Sequence, residues 1–138
     1  VGLKYGLKDF LSYLKDNGIK LGIATSNSRE LVNAVSLGTG LNNYFDEIVT
    51  ACEVNRGKPA PDIFLIAADK LGLAPKDCIV VEDAIAGINA AKSAGIGKII
   101  AIASMEPVEF YENIDGVDKI IKNFGEIDRS IFECPVIK

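Results

Sequence analysis

Apolar positions recur at two different spacings along the chain, and these spacings predict its elements. Leu7, Phe10, Leu11 and Leu14 repeat at helical intervals, with Gly18 just beyond as a helix-ending glycine. They predict a helix over 8–17. The run KLGIAT, 20–25, reads as a short buried strand. Asn27 then stands as a helix N-cap with Glu30 three residues on, close to a capping box, and the helix runs to about 37. EIVT, 47–50, is a second strand. Ile63, Phe64, Ala67, Ala68 and Leu71 mark one face of a helix that stops at Gly72. CIVV, 78–81, is a strand, followed by a helix over 84–94 with Gly95 as its cap. KIIAIA, 98–103, is another strand. A short strand near 119–121 and a helix near 126–132 finish the pattern.

Strands and helices therefore alternate. The strands are continuous apolar runs, without the in-out alternation of a half-exposed sheet. That predicts a parallel sheet covered by helices on both faces, an α/β fold with three layers. No internal repeat, low-complexity segment or linker interrupts it, so residues 1–138 read as one domain. In such sheets ligands sit beyond the carboxyl ends of the strands. The polar residues there are the ones to weigh.

Composition narrows the chemistry. The chain is 49% hydrophobic and 25% charged, enough for a core and a solvated surface. No segment approaches the roughly 20 apolar residues of a membrane span, and the start lacks a signal-peptide core. A net charge of −4 and the lack of a basic stripe with interleaved aromatics argue against nucleic acid. The three cysteines, Cys52, Cys78 and Cys134, fit neither a disulfide framework nor a zinc pattern. They read as reduced thiols of a cytoplasmic protein. There is no histidine, which excludes Ser-His and Cys-His nucleophiles and His-ligated metals.

Three groups stand out in chain order, two at predicted strand ends and one in a loop. The first is ATSNS, with Thr25, Ser26 and Asn27. Alone it is a turn and helix cap; equally, a hydroxyl beside the free N–H groups of a helix start makes a phosphate seat. The second is GKPAPD, with Lys58. It can be an ordinary surface lysine, but Pro59 and Pro61 stiffen the loop and pre-order the ammonium. The third is VEDA, with Glu82 and Asp83. Asp83 can serve as a helix N-cap, yet that leaves Glu82 unexplained. Two adjacent carboxylates repel, and each is costly to desolvate. A pair at a strand end suits a hard cation such as magnesium. A hydroxyl, a lysine and paired carboxylates are the parts needed for phosphoryl transfer. A nucleophile is missing from the set.

ATSNS, GKPAPDIF and VEDAIAGINAAKSAG resemble motifs two, three and four of the haloacid dehalogenase superfamily, in wording closest to its β-phosphoglucomutase-like branch. The resemblance covers essentially the whole chain. It implies a Rossmann-like core and a magnesium-dependent phosphatase or phosphomutase acting on small phosphorylated metabolites, sugar phosphates among them. It implies that Thr25 binds the transferring phosphoryl group and that Lys58 bridges nucleophile and phosphate. Ser26 and Asn27 match positions near phosphate and substrate, and Glu82 and Asp83 match the magnesium-holding pair.

The chain also departs from the pattern. Family members begin with a strand ending in Asp-x-Asp-Gly, whose first Asp is the nucleophile and second the general acid/base. No such motif occurs here, and the cap domain usual between motifs one and two is absent. The resemblance thus implies a core portion that is inactive alone. It also implies that the sheet lacks a strand between those carrying Thr25 and the acidic pair. Exposed edges recruit strands. Three repairs are expected: direct pairing of the two neighbours, a strand from another copy, or a separate N-terminal segment. Two other classes compete. A receiver domain uses similar residues in a different chain order. A non-catalytic interaction module would keep the fold, and an upstream Asp-x-Asp-Gly strand decides against it.

Overall fold

The computed structural model describes residues 6–26, 30, 40, 44–104 and 106–127. Helix α1, Leu7–Asp16, turns Phe10, Leu11 and Leu14 inward and leads to strand β1, Gly22–Thr25. Strand β2, Glu47–Thr50, runs parallel beside it, with Thr25 opposite Thr50. A single 3-10 turn, Ala51–Glu53, and the GKPAP loop lead into helix α2, Asp62–Leu71. Strand β3, Ile79–Glu82, helix α3, Ile85–Ala94, and strand β4, Lys98–Ile102, follow. A short helix α4, Val108–Glu112, precedes strand β5, Lys119–Ile121. Strands β3, β4 and β5 form a parallel sheet in that order.

Both faces are covered, as the apolar runs predict. Strand β4 shows why: Ile99 and Ala101 point to one side, Ile100 and Ile102 to the other, and all four are buried. The first pair joins Ile63 and Phe64 of α2, Ile88 and Ala91 of α3, and Tyr111 of α4. The second joins Phe10, Leu11 and Leu14 of α1. Glycine ends α2 and α3 alike. Gly72 and Gly95 take the left-handed conformation, and the residue after each donates to a carbonyl one turn back, Leu73 to Ala68 and Ile96 to Ala91.

The sheet comes in two pieces. Strand β1 pairs only with β2, and β3 only with β4, among the described residues. A cavity of about 350 Å³ separates them, with Gly22, Ala24, Ile79 and Val81 in its walls. The Leu21 carbonyl accepts from β2 and the Cys78 carbonyl accepts from Lys98 at the start of β4. By alternation the backbone groups of Gly22 and Ala24, and of Ile79 and Val81, turn toward the gap. Of the three expected repairs, direct pairing of β1 with β3 does not occur.

Element boundaries shift by one or two residues from the sequence reading, the ordinary uncertainty of fraying ends. One shift matters: β3 extends through Glu82, so that carboxylate belongs to the strand. Helix α4 is an addition, too short to show a period. The helix expected from Asn27 to about 37 lies almost wholly outside the described residues, as does most of the one near 126–132; within the described residues, Phe124–Glu126 is a 3-10 turn. Cys52 and Cys78 are free thiols, and Cys134 lies outside the described residues. No helix among the described residues is long and apolar enough to cross a membrane.

Candidate active site

The site lies at the carboxyl ends of β1 and β3, over the mouth of the gap. Lys58 enters it from the loop after β2. Its ammonium donates to the Ala24 carbonyl on β1 (3.2 Å) and to Glu82 Oε2 on β3 (2.9 Å). It also sits 5.1 Å from the centre of the Phe64 ring, a cation–π distance. The Lys58 and Glu82 side chains are 12% and 13% exposed, so this ion pair is screened little by solvent. The loop is held at its far end by Arg56, whose guanidinium grips both carboxylate oxygens of Asp62 at the start of α2.

The two adjacent carboxylates diverge. Glu82 turns to Lys58, and its Oε1 accepts the Asp83 N–H at 3.1 Å. Asp83 turns to Ser104, whose hydroxyl donates to Oδ2 at 3.0 Å. Tyr111 donates its hydroxyl to the Asp83 backbone carbonyl at 2.7 Å. Burial pushes the Tyr111 phenol up from its usual range, and the negative charge of Asp83 adds to the effect. Repulsion within the pair is thus relieved by a lysine for one member and a hydroxyl for the other.

Thr25 ends β1 beside the carbonyl that holds Lys58, and Ser26 follows it, exposed. Asn27 lies outside the described residues. The structure therefore brings together Thr25, Lys58 and Glu82, with Asp83 on the adjoining turn. Three further residues belong to the site without a role read from the sequence. Ser104 and Tyr111 touch Asp83 from 21 and 28 residues downstream, and no local pattern links them to it. Gly87 faces Glu82 from the first turn of α3: a Cβ there would overlap the Glu82 carboxylate. Its glycine was visible in the motif, but the reason for it is a contact.

The candidate ligand atoms at the site, those of the Glu82 and Asp83 carboxylates, are all oxygen. That set fits a hard cation, which binds through one or two carboxylates and keeps its waters. No group of three or more His, Cys, Asp or Glu side chains is placed to hold a metal among the described residues. Asp83 Oδ1 carries no hydrogen bond there, whereas both Glu82 oxygens are engaged. Chemically, the site offers a fixed positive charge and a hydroxyl at a strand end, the means of receiving an anionic oxygen.

Comparison with known proteins identifies the family. The sequence profile of the haloacid dehalogenase-like hydrolase family matches residues 2–95. The chain belongs to that family. It is 38% identical over 117 residues to hexitol phosphatase A of Escherichia coli, covering 85% of this chain and 52% of that protein. Among solved structures, a hydrolase of family IA, variant 3, from Entamoeba histolytica superposes with a TM-score of 0.89 at 36% identity, over 98% of this chain and 60% of that one. The β-phosphoglucomutase of Clostridium difficile superposes with a TM-score of 0.80 at 29% identity, over 95% and 55%. The chain spans about half the length of several curated relatives it matches, 30% of another and 9% of a further one.

Proposed function

We propose that this chain is the phosphate-handling portion of a magnesium-dependent phosphatase or phosphomutase. Its substrates are small phosphorylated metabolites, sugar phosphates foremost. The observation that carries the reading is Lys58, fixed between the Ala24 carbonyl and Glu82 beside Thr25. A lysine held there at low entropic cost meets a phosphoryl group with its charge already in place.

In this reading the Thr25 hydroxyl, with Ser26 and Asn27 beside it, seats the phosphoryl oxygens. Lys58 balances the charge gathered on them and on the attacking carboxylate. Glu82 holds Lys58 in position, and Asp83 with Glu82 supplies the carboxylates for the cation. Magnesium, when bound, neutralises the phosphoryl oxygens and lowers the repulsion met by an anionic nucleophile. That nucleophile is an aspartate on a further strand, seated in the gap between β1 and β3 and supplied by a longer form of the protein. The phosphoryl group passes to it as the bond from phosphorus to the sugar oxygen breaks, and that oxygen leaves as an alcohol with a proton from the second aspartate of the same strand. Water in a phosphatase, or a sugar hydroxyl in a mutase, then gives up a proton to that second aspartate and takes the phosphoryl group, freeing the nucleophilic carboxylate. The present chain is inactive alone, and the enzyme works in the cytoplasm.

The test is turnover of a sugar-phosphate panel with magnesium, by the full-length protein and by residues 1–138. Turnover is expected from the first alone, and Lys58→Ala should lower it by about 1,000-fold, the scale for loss of one charge-stabilising group. Turnover by residues 1–138, or an unaffected Lys58→Ala enzyme, rules the reading out.

A further inference from the structure

Asp83 is held at three handles by three separate parts of the chain. Its N–H donates to Glu82 Oε1 at 3.1 Å. Its backbone carbonyl accepts from the Tyr111 hydroxyl at 2.7 Å. Its Oδ2 accepts from the Ser104 hydroxyl at 3.0 Å. Two of the three come from the segment after β4, which contains none of the sequence motifs.

The two partners differ in kind. Tyr111 is fully buried, packed with Phe110 edge to face at 5.2 Å between ring centroids. If the Asp83 peptide turned away, the Tyr111 hydroxyl would keep the Glu106 backbone contact but its proton would lose its acceptor, and an unsatisfied buried donor is costly. Tyr111 therefore locks the backbone of the turn between β3 and α3. Ser104 is exposed, directly after β4, and contributes little to the core. Its hydroxyl occupies one carboxylate oxygen and leaves Oδ1 without a hydrogen bond among the described residues. One partner fixes where Asp83 is, and the other fixes which oxygen it presents.

We propose that Tyr111 and Ser104 are positioning residues for Asp83, together presenting Oδ1 to a divalent cation. This rests on the cation-holding role proposed for Asp83 above. Outer partners that orient a metal-ligating carboxylate typically change metal affinity 10- to 100-fold when removed. A merely structural hydroxyl would change stability instead.

The experiment uses the full-length protein and manganese as a spectroscopic stand-in for magnesium. Binding is read by the loss of the free-ion electron paramagnetic resonance signal, without substrate. Thermal unfolding is read without metal. Ser104→Ala should weaken manganese binding about 10-fold with an unchanged Tm, and Ser104→Thr, which keeps the hydroxyl, should restore it. Tyr111→Phe keeps the ring and should weaken binding by a similar factor, with a lower Tm. Asp83→Asn serves as the reference. If it abolishes binding while Ser104→Ala and Tyr111→Phe bind as the wild type does, the positioning proposal is wrong and the cation site stands. A lower Tm with unchanged affinity in Tyr111→Phe makes Tyr111 a packing residue only. If Asp83→Asn binds normally, the cation role fails and the positioning role fails with it.

Discussion

Lys58 and Glu82 meet over the mouth of the gap, Nζ to Oε2 at 2.9 Å, and join the loop after β2 to the end of β3. Both side chains are largely buried, so removing one partner strands the other's charge. Lys58→Met should cost about 3 kcal/mol of stability. The double variant Lys58→Met, Glu82→Leu removes both charges and should recover most of that loss. Chemical denaturation separates the two outcomes. A double variant no more stable than the single would show that the pair is not the source of the loss.

Gly87 should tolerate no side chain while Glu82 is present, because a Cβ at that position overlaps the Glu82 carboxylate. Elsewhere inside a helix, Gly→Ala stabilises by about 1 kcal/mol. Gly87→Ala is expected to do the opposite, lowering Tm and displacing Glu82 from Lys58. In a Glu82→Ala background the same substitution should lose its penalty. Melting curves of the four proteins test this, and a more stable Gly87→Ala single variant would count against the contact.

Glu53 gives the stability a defined acid limb. The Thr50 N–H and hydroxyl donate to its Oε2 at 2.7 and 3.2 Å, and Lys70 donates to Oε1 at 3.0 Å. The Thr50 N–H, with Lys70 next in weight, holds the Glu53 carboxyl down at about 2, from an ordinary 4.5. The folded state thus keeps the charge where the unfolded chain would take a proton. Glu53 stabilises fully above about 4.5, and this contribution is lost as pH falls toward 2. Asp46 adds in the same direction, since the Leu21 N–H holds its carboxyl low. Thermal unfolding followed down through this window should show a slope that Glu53→Gln flattens. An identical slope in the variant would remove Glu53 as its source.

The gap can be read by hydrogen exchange. Backbone groups of Gly22, Ala24, Ile79 and Val81 turn into it, with no strand to receive them among the described residues. Their amides should exchange rapidly in residues 1–138 and become strongly protected in the full-length protein. Equal protection in both would mean that no strand enters.

The fold was legible because its signals are local. Continuous apolar runs gave the strands β1 to β4, and Gly72 and Gly95 marked two helix ends by their left-handed backbone. Thr25, Glu82 and Asp83 were legible as polar residues at strand ends, where a parallel sheet binds its ligands, and Lys58 as a lysine in a proline-stiffened loop. Their division of labour was not. Glu82 ends the strand and Asp83 opens the turn, so the two carboxylates part, one to Lys58 and one to Ser104. Ser104 and Tyr111 stayed hidden because only packing brings them to Asp83. The five-residue helix that carries Tyr111 is too short to show a period. Gly87 was visible as a letter, but its constraint comes from a carboxylate five positions earlier, seen only once α3 folds back on β3.

The break in the sheet is splinted on both sides. On one face, Val49 of β2 and Val80 of β3 share a single core with α2 and α3. On the other, Leu21, just before β1, shares the α1 core with Ile100 of β4. Lys58 pins the open end. The two half-sheets are thus joined through both cores and through Lys58, with the cavity left between them. A strand of the kind proposed above would enter between walls that already share their packing. The ordering entropy of such an assembly would fall mainly on the entering strand, with the chain acting as its mould.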